Sequence, residues 1–117
     1  MSAATTISTH VLDTALGSPA ANVAVTLERV TGHGGTTILA RGVTNADGRV
    51  PSLAPEDGSL FGGSYRLCFD VAPYFAATER RSFYGEICIN FLVADDPQHY
   101  HVPLLVSPFG YSTYRGS

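Results

Sequence analysis

Residues 99–107 constrain the fold most, because apolar and polar side chains alternate along this segment. One side of an extended chain here would carry Tyr100, Val102, Leu104 and Val106. A repeat of two residues is typical of a β-strand with one face on a hydrophobic core. The apolar side should be buried, which places His101 on the outward side. Residues 108–110 then predict a turn, and residues 111–117 predict a returning strand.

The rest of the chain also consists mostly of predicted β-strands. Strands are predicted at residues 6–13, 22–30, 36–44, 64–71 and 86–94. One helix is predicted at residues 72–80, where Pro73 suits a first helical position. Many short strands with regular turns favour a single domain, residues 1–117, with an all-β fold. We expect an antiparallel β-sandwich of about seven to eight strands with one short helix.

Charge and hydropathy exclude several classes of function. The formal net charge is −3 and no basic stripe is present, which argues against a nucleic-acid partner. No apolar run approaches the roughly 18 residues of a membrane span. The first residues lack the basic and apolar regions of a signal peptide, so we expect a cytoplasmic protein. The low charged fraction of 15% hints at surface buried in an oligomer.

The two cysteines, Cys68 and Cys88, lie in predicted strands without the spacing of a metal site. We expect free, buried thiols in a reducing compartment, and a disulfide is the less favoured alternative. The glycine-rich segment 31–35 does not match a phosphate-binding loop, and the turn at residues 45–48 has too few oxygen ligands for calcium. No cofactor or metal is predicted.

Several polar residues could carry chemistry, although each taken singly is more often an ordinary surface residue. His10 shares a strand face with Ser8 and Leu12, His101 faces outward, and Arg49 follows the Asp-Gly turn. The chain closes on Tyr114, Arg115, Gly116 and Ser117, a concentration of polar groups where fraying is normal. A structural sandwich with incidental histidines therefore remains one alternative.

Two long motifs favour a functional role for these polar residues. The segment Ser-Thr-His-Val-Leu-Asp-Thr at residues 8–14 and the ending at residues 99–117 resemble the 5-hydroxyisourate hydrolases, the enzymatic relatives of transthyretin. The resemblance covers residues 8–117 and implies a transthyretin-like sandwich, a homotetramer built as a dimer of dimers, and hydrolytic opening of the six-membered ring of 5-hydroxyisourate. Gly85 stands where many members of the family would have proline, outside the expected site.

The resemblance also implies roles for individual residues. Catalytic roles fall to His10, Arg49, His101 and Ser117, and substrate-binding roles to His10, Arg49, Tyr114 and Arg115. In the family these positions line a channel where two dimers meet. Their presence favours the enzyme over a non-catalytic carrier of a small aromatic ligand. His99 is also common in the family, but no role is assigned to it.

Overall fold

The computed structural model describes residues 4–55 and 60–117, which fold into two packed β-sheets. The larger, six-stranded sheet contains β1 (Thr6–Asp13), β2 (Ser18–Pro19), β5 (Arg49–Val50), β8 (His99–His101), β9 (Leu104–Ser107) and β10 (Gly110–Thr113). The smaller sheet contains β3 (Ala24–Val30), β4 (Thr36–Val43), β6 (Gly63–Asp70) and β7 (Glu86–Val93). Its strands are antiparallel in the order β4-β3-β6-β7. The predicted all-β sandwich is confirmed.

The core between the sheets follows the predicted alternation. The four residues on the apolar side of the segment 99–107, Tyr100, Val102, Leu104 and Val106, are buried and at most 6% exposed. They pack among buried side chains of both sheets, including Ile7, Val11, Val25, Leu27, Leu67, Phe69, Ile87 and Ile89. Burial of the apolar side therefore leaves the other side of the segment, with His101, facing outward.

Three predicted elements are interrupted in the structure or differ from it by three residues or more, whereas the bounds of the other predicted strands differ by at most two residues. The single strand predicted at residues 99–107 is interrupted at Val102 and Pro103, where Val102 donates its N–H to the Ser8 carbonyl. Together with the two-residue strands β2 and β5, this interruption raises the count to ten strands. The returning strand ends at Thr113, and beyond it only Gly116 bridges to His101.

The helix, α1 (Ala72–Ala77), is shorter than predicted. Thr78 already departs from helical backbone, and Glu79 adopts a left-handed conformation with φ of 58°. A left-handed residue cannot continue a right-handed helix. The expected Pro73 does lie in the first turn.

Strand β1 organises the larger sheet, because four of the other strands pair with it. It runs antiparallel to β2 and β5 but parallel to β8 and β9, so the sandwich is not wholly antiparallel. The parallel pairing joins the two ends of the chain: Ser8 lies opposite His101. The antiparallel pairing places His10 opposite Arg49.

A buried ion pair attaches the segment after α1 to the end of β1. The Asp13 side chain is fully buried, accepts a hydrogen bond from the Tyr74 hydroxyl at 2.7 Å, and pairs with Arg80. Burial alone would raise the pKa of Asp13, but hydrogen bonds from Arg80, Tyr74 and the Leu16 amide outweigh it and lower that pKa. The carboxylate therefore stays ionised inside the protein.

Both cysteines are free thiols, as predicted, but only Cys68 is buried and Cys88 is exposed. The expectation that both are buried was wrong because Cys88 lies on the outward side of β7, between the inward-facing Ile87 and Ile89. None of the described helices is long and apolar enough to cross a membrane. Residues 51–63, between two of the predicted strands, are expected from the sequence to form a mostly irregular loop, and its acidic residues Glu56 and Asp57 lie outside the described residues.

Candidate active site

Three of the predicted site residues meet on the outward face of the six-stranded sheet. His10 lies on the central strand β1, Arg49 lies directly opposite it on β5, and His101 on β8 lies opposite Ser8. Ser8 and His10 are two residues apart and thus share a face of β1. The charge of Arg49 lowers the pKa of both histidines, and His10 also lowers the pKa of His101. The sheet register therefore builds one cluster from three strands.

A tight turn fixes the position of Arg49. The Asn45 side chain accepts hydrogen bonds from the backbone N–H groups of Asp47, at 2.9 Å, and Arg49, at 3.0 Å. Gly48 has φ of 73°, and a Cβ there would lie 2.5 Å from the Val11 carbonyl oxygen. Only glycine fits this position, and its carbonyl accepts the Val11 N–H at 2.7 Å. Arg49 thus leaves the turn already aligned with β1.

The imidazole of His10 has one ring nitrogen without a partner. Its Nε2 is shielded from solvent and is the single such buried side-chain nitrogen or oxygen among the described residues without a hydrogen bond. Burial and the positive charge of Arg49 lower the pKa of His10, against a smaller opposing effect of a hydrogen bond and the charge at Asp47. A neutral ring with a free Nε2 is suited to accept a proton.

His101 is the end of a chain of hydrogen-bonding groups that crosses from β8 to β1. Its Nδ1 lies 2.8 Å from Ser8 Oγ, which in turn lies 2.9 Å from His99 Nε2. His99 Nδ1 lies 2.6 Å from Thr6 Oγ1. Burial, followed by the charges of Arg49, His10 and His99, lowers the pKa of His101. This arrangement leaves Nε2 of His101 as the ring nitrogen that can face a substrate.

Ser8, His99 and Thr6 were not among the predicted site residues. A signal for two of them was present, because Ser8 shares a strand face with His10 and His99 shares one with His101. The parallel pairing that brings these two faces together was not predictable from the alternation alone.

The C-terminal segment returns to His101. Gly116 donates its backbone N–H to the His101 carbonyl oxygen at 2.8 Å. A Cβ on Gly116 would lie 2.5 Å from Cδ2 of the His101 ring, so the ring occupies the space that any larger residue would need. Ser117 follows at once and is exposed. Its catalytic role stays a prediction.

In the single chain, the side chains of Tyr114 and Arg115 lie away from His10. The Arg115 guanidinium donates to Gln98 Oε1 at 3.0 Å and to the His99 carbonyl at 3.2 Å, and lies 4.5 Å from the centre of the Tyr100 ring. Tyr114 is 57% exposed and lines a cleft of about 260 Å³ between β7 and the β8–β10 region. Within one chain the structure does not bring either side chain to His10, and their substrate-binding roles remain predictions.

A metal is not needed to explain the histidine cluster. Among residues 4–55 and 60–117, the group of three side chains able to hold a metal is Cys68, Glu86 and Cys88, on the other sheet. The histidine cluster itself provides neutral bases beside a fixed guanidinium. Such a set can activate water and stabilise a developing oxyanion.

Comparisons of the sequence and of the structure with known proteins find 5-hydroxyisourate hydrolases and transthyretins. The sequence model of the HIUase/Transthyretin family matches residues 7–116. A 5-hydroxyisourate hydrolase of Deinococcus radiodurans is 49% identical over 114 residues, covering 95% of each chain. The solved structure of Klebsiella pneumoniae 5-hydroxyisourate hydrolase superposes with a TM-score of 0.82 at 40% identity, covering 97% of this chain and all of that one. Transthyretin from Sparus aurata superposes with a TM-score of 0.85 at 32% identity, covering 94% and 95%.

Proposed function

The chain belongs to the HIUase/Transthyretin family, and from this premise we propose how its histidine cluster hydrolyses 5-hydroxyisourate. The protein is a 5-hydroxyisourate hydrolase of urate catabolism. It opens the six-membered ring and gives 2-oxo-4-hydroxy-4-carboxy-5-ureidoimidazoline. The observation that carries the mechanism is the register that sets His10 opposite Arg49 and His101 opposite Ser8 on one sheet face.

The reaction adds water across an amide-like bond. The oxygen of water bonds to the ring carbonyl carbon, the carbon–nitrogen bond breaks, and one proton must move from water to the departing nitrogen. The product accordingly carries a ureido group and a new carboxylic acid, which releases its proton to solvent and becomes a carboxylate. Ser8 is the hydroxyl beside the histidines, and it is buried between the rings of His101 and His99. In the proposed mechanism it therefore serves the hydrogen-bond chain, and water attacks the carbonyl directly.

His10 takes the proton from water in this mechanism. Its Nε2 is unpartnered, and its lowered pKa keeps the ring neutral at pH 7. Both properties are required of a general base. The guanidinium of Arg49 lies in register beside it and holds the substrate's anionic oxygens as charge builds on the carbonyl.

His101 delivers a proton to the departing nitrogen. The Ser8 hydroxyl can donate to His101 Nδ1 or accept from it, and can make the matching exchange with His99 Nε2. His101 gives its Nε2 proton to the departing nitrogen while its Nδ1 takes the Ser8 hydroxyl proton. Ser8 in turn takes a proton from Nε2 of His99, which is exposed and regains one from solvent. The proton that His10 took from water returns to solvent, so both histidines end the cycle neutral. Ser117, beside the Gly116 contact with His101, helps to order the attacking water.

A homotetramer would complete the site. Among the described strands, β7 and β10 each lack a partner on one side, and both carry exposed apolar side chains, among them Leu92 and Tyr111. Unpaired edges with apolar side chains favour pairing with another copy. Two such dimers facing through their histidine clusters would form a channel, to which Tyr114 and Arg115 of other copies could contribute. Sedimentation at micromolar concentration should give about four times the chain mass. A fully active monomer would contradict this assembly.

We also propose a cytoplasmic location, which rests on the sequence and on the free state of both cysteines. Fractionation of the native source, with the protein followed by antibody, would test it.

The function is tested by a coupled assay in which urate oxidase generates 5-hydroxyisourate and its absorbance decay is followed. The protein should accelerate the decay over the spontaneous rate. His33 provides a matched control, because it is an exposed histidine in a left-handed turn with φ of 66°. His33→Asn should retain full activity, since asparagine tolerates that conformation, whereas His10→Asn should lose it. Decay equal to the spontaneous rate would favour the carrier of a small aromatic ligand.

A further inference from the structure

A second chemically reactive pair lies on the smaller sheet. Cys68 on β6 and Cys88 on β7 are directly opposite each other in the antiparallel register, and their sulfur atoms are 2.7 Å apart. Cys68 is 5% exposed, whereas Cys88 is exposed to solvent. Directly opposed residues of antiparallel strands have Cβ atoms about 4.5–5.5 Å apart, next to the range of about 3.5–4.5 Å that a disulfide spans, so a small approach of the two strands is enough.

The surroundings are polar and lie on the outward side of the sheet. Glu86 accepts a hydrogen bond from the Cys88 thiol at 3.4 Å, and Glu28 interacts with Cys68. The inward residues of β7 on either side, Ile87 and Ile89, are buried in the core. The thiols therefore face away from the other sheet, which carries the histidine cluster.

A metal is a weaker explanation of this pair than a disulfide. A structural zinc site has four ligands, whereas the described residues offer a group of three here, and the third, Glu86, is exposed. A disulfide needs only the two sulfur atoms, which already lie in contact on directly opposed residues.

We propose that Cys68 and Cys88 form a reversible disulfide that ties the edge strand β7 to β6. Cys88, the accessible thiol, attacks one sulfur of a small-molecule disulfide as its thiolate and releases one thiol. Cys68 then attacks the Cys88 sulfur of the mixed disulfide and releases the second thiol. Two protein thiols lose two electrons and two protons in total, and the small-molecule disulfide is reduced to two thiols.

The groups around the two thiols determine how fast the disulfide forms and how stable it is. The pKa of Cys68 is raised by burial and by the hydrogen bonds and charges of Cys88 and Glu28. The pKa of Cys88 is raised as well, chiefly because neighbouring atoms keep part of the solvent away from its sulfur. Raised thiol pKa values leave little thiolate at neutral pH, so oxidation is slow. A disulfide is strongly oxidising when the protein stabilises the reduced, thiolate form. The raised pKa values show no such stabilisation here, so the bond is stable once it has formed. The acidic neighbours favour a neutral oxidant.

The test uses the full-length protein and bis(2-hydroxyethyl) disulfide, which carries no charge. After treatment, acid quenching and alkylation under denaturing conditions, the intact mass should fall by about 2 Da with no alkyl group added. Dithiothreitol should restore two alkylatable thiols. The thermal midpoint of the oxidised protein should rise by several degrees, because the bond closes a loop between residues 20 apart.

Single variants separate the two steps. Cys68→Ser should stop at a stable mixed disulfide on the exposed Cys88, and Cys88→Ser should remain largely unmodified. The double Ser variant should keep hydrolase activity but lose the redox-dependent shift of the thermal midpoint. Oxidation of wild-type protein that ends in two mixed disulfides, or leaves both thiols alkylatable, would overturn the proposal. Stoichiometric zinc in the purified protein that blocks alkylation until chelated would do so as well.

Discussion

Gly116 donates its backbone N–H to the carbonyl oxygen of His101 at 2.8 Å, and the His101 ring lies where a Cβ of Gly116 would be. This contact gives the terminal motif a physical function, because it couples the end of the chain to a proposed proton-transfer residue. Arg115 strengthens the attachment through Gln98 and the His99 carbonyl. Arg115 and Gly116 thus attach this terminal segment to β8 and to the residue before it.

Gly116→Ala should reduce hydrolysis at least about 10-fold while leaving the fold intact, since a displacement of about 1 Å in a catalytic group can cost more than this. The added methyl group would lie 2.5 Å from the His101 ring and force it to move. Gly110→Ala is the matched control, because its Cβ would meet only Ser107 Oγ at 3.7 Å. Equal activity of the two variants in the coupled assay would contradict a positioning role for Gly116.

His101→Asn should lower turnover by at least about 100-fold, the usual contribution of a positioned acid or base. Asparagine is polar and can still hydrogen-bond to Ser8, but it cannot carry a proton between two nitrogens. His33→Asn should leave turnover unchanged. A His101→Asn enzyme with normal turnover and an unchanged pH profile would remove His101 from the mechanism.

Ser8→Ala should impair catalysis without removing either histidine. The hydroxyl that lies 2.8 Å from His101 and 2.9 Å from His99 is lost, so His101 can no longer switch its ring proton through the chain. We expect turnover to fall about 10-fold or more with a small change in KM. Ser8→Thr, which retains the hydroxyl, should recover part of the loss. An Ala variant with wild-type turnover would show that the chain is only structural.

Activity should decline on acidification only below pH 6.5. The pKa values of His10 and His101 are both lowered from 6.5, chiefly by burial. A general base works in its neutral form, so it is active at pH 7 and is lost as pH falls through its lowered pKa. The acid limb of kcat/KM should accordingly have its midpoint below 6.5. A midpoint above 6.5 would be inconsistent with a neutral His10 as the base.

Asp13→Asn should destabilise the protein by about 3 kcal/mol, the lower end for breaking a buried ion pair. The amide keeps the volume of the carboxylate but loses its charge beside Arg80, which is itself partly exposed. Urea denaturation would measure the loss, with Asp70→Asn on the exposed side of β6 as the control. A midpoint equal to that of the control would mean that the Asp13 pair adds nothing to stability.

Parts of this protein could be predicted from the sequence because the information is local. Alternation along residues 6–13 and 99–107 assigns each side chain to a face, and the structure buries the apolar side of the second segment as predicted. The Asn-Ala-Asp-Gly turn determines where β5 begins, and thus where Arg49 lies. The two motifs pointed to the correct family, and the choice of His10, Arg49 and His101 as one cluster came from that resemblance.

The tertiary structure alone decided which faces meet. The parallel pairing of β1 with β8 joins residues 93 apart in the chain, and it creates the Ser8–His101 and Thr6–His99 contacts. The hydrophobic pattern determines which face of a strand is buried. The choice of a distant partner strand depends in addition on the packing of the whole sheet, which a local pattern does not contain. The same reason explains why Arg115 turns back to Tyr100 and why Cys68 meets Cys88, since both contacts depend on neighbours supplied by other strands.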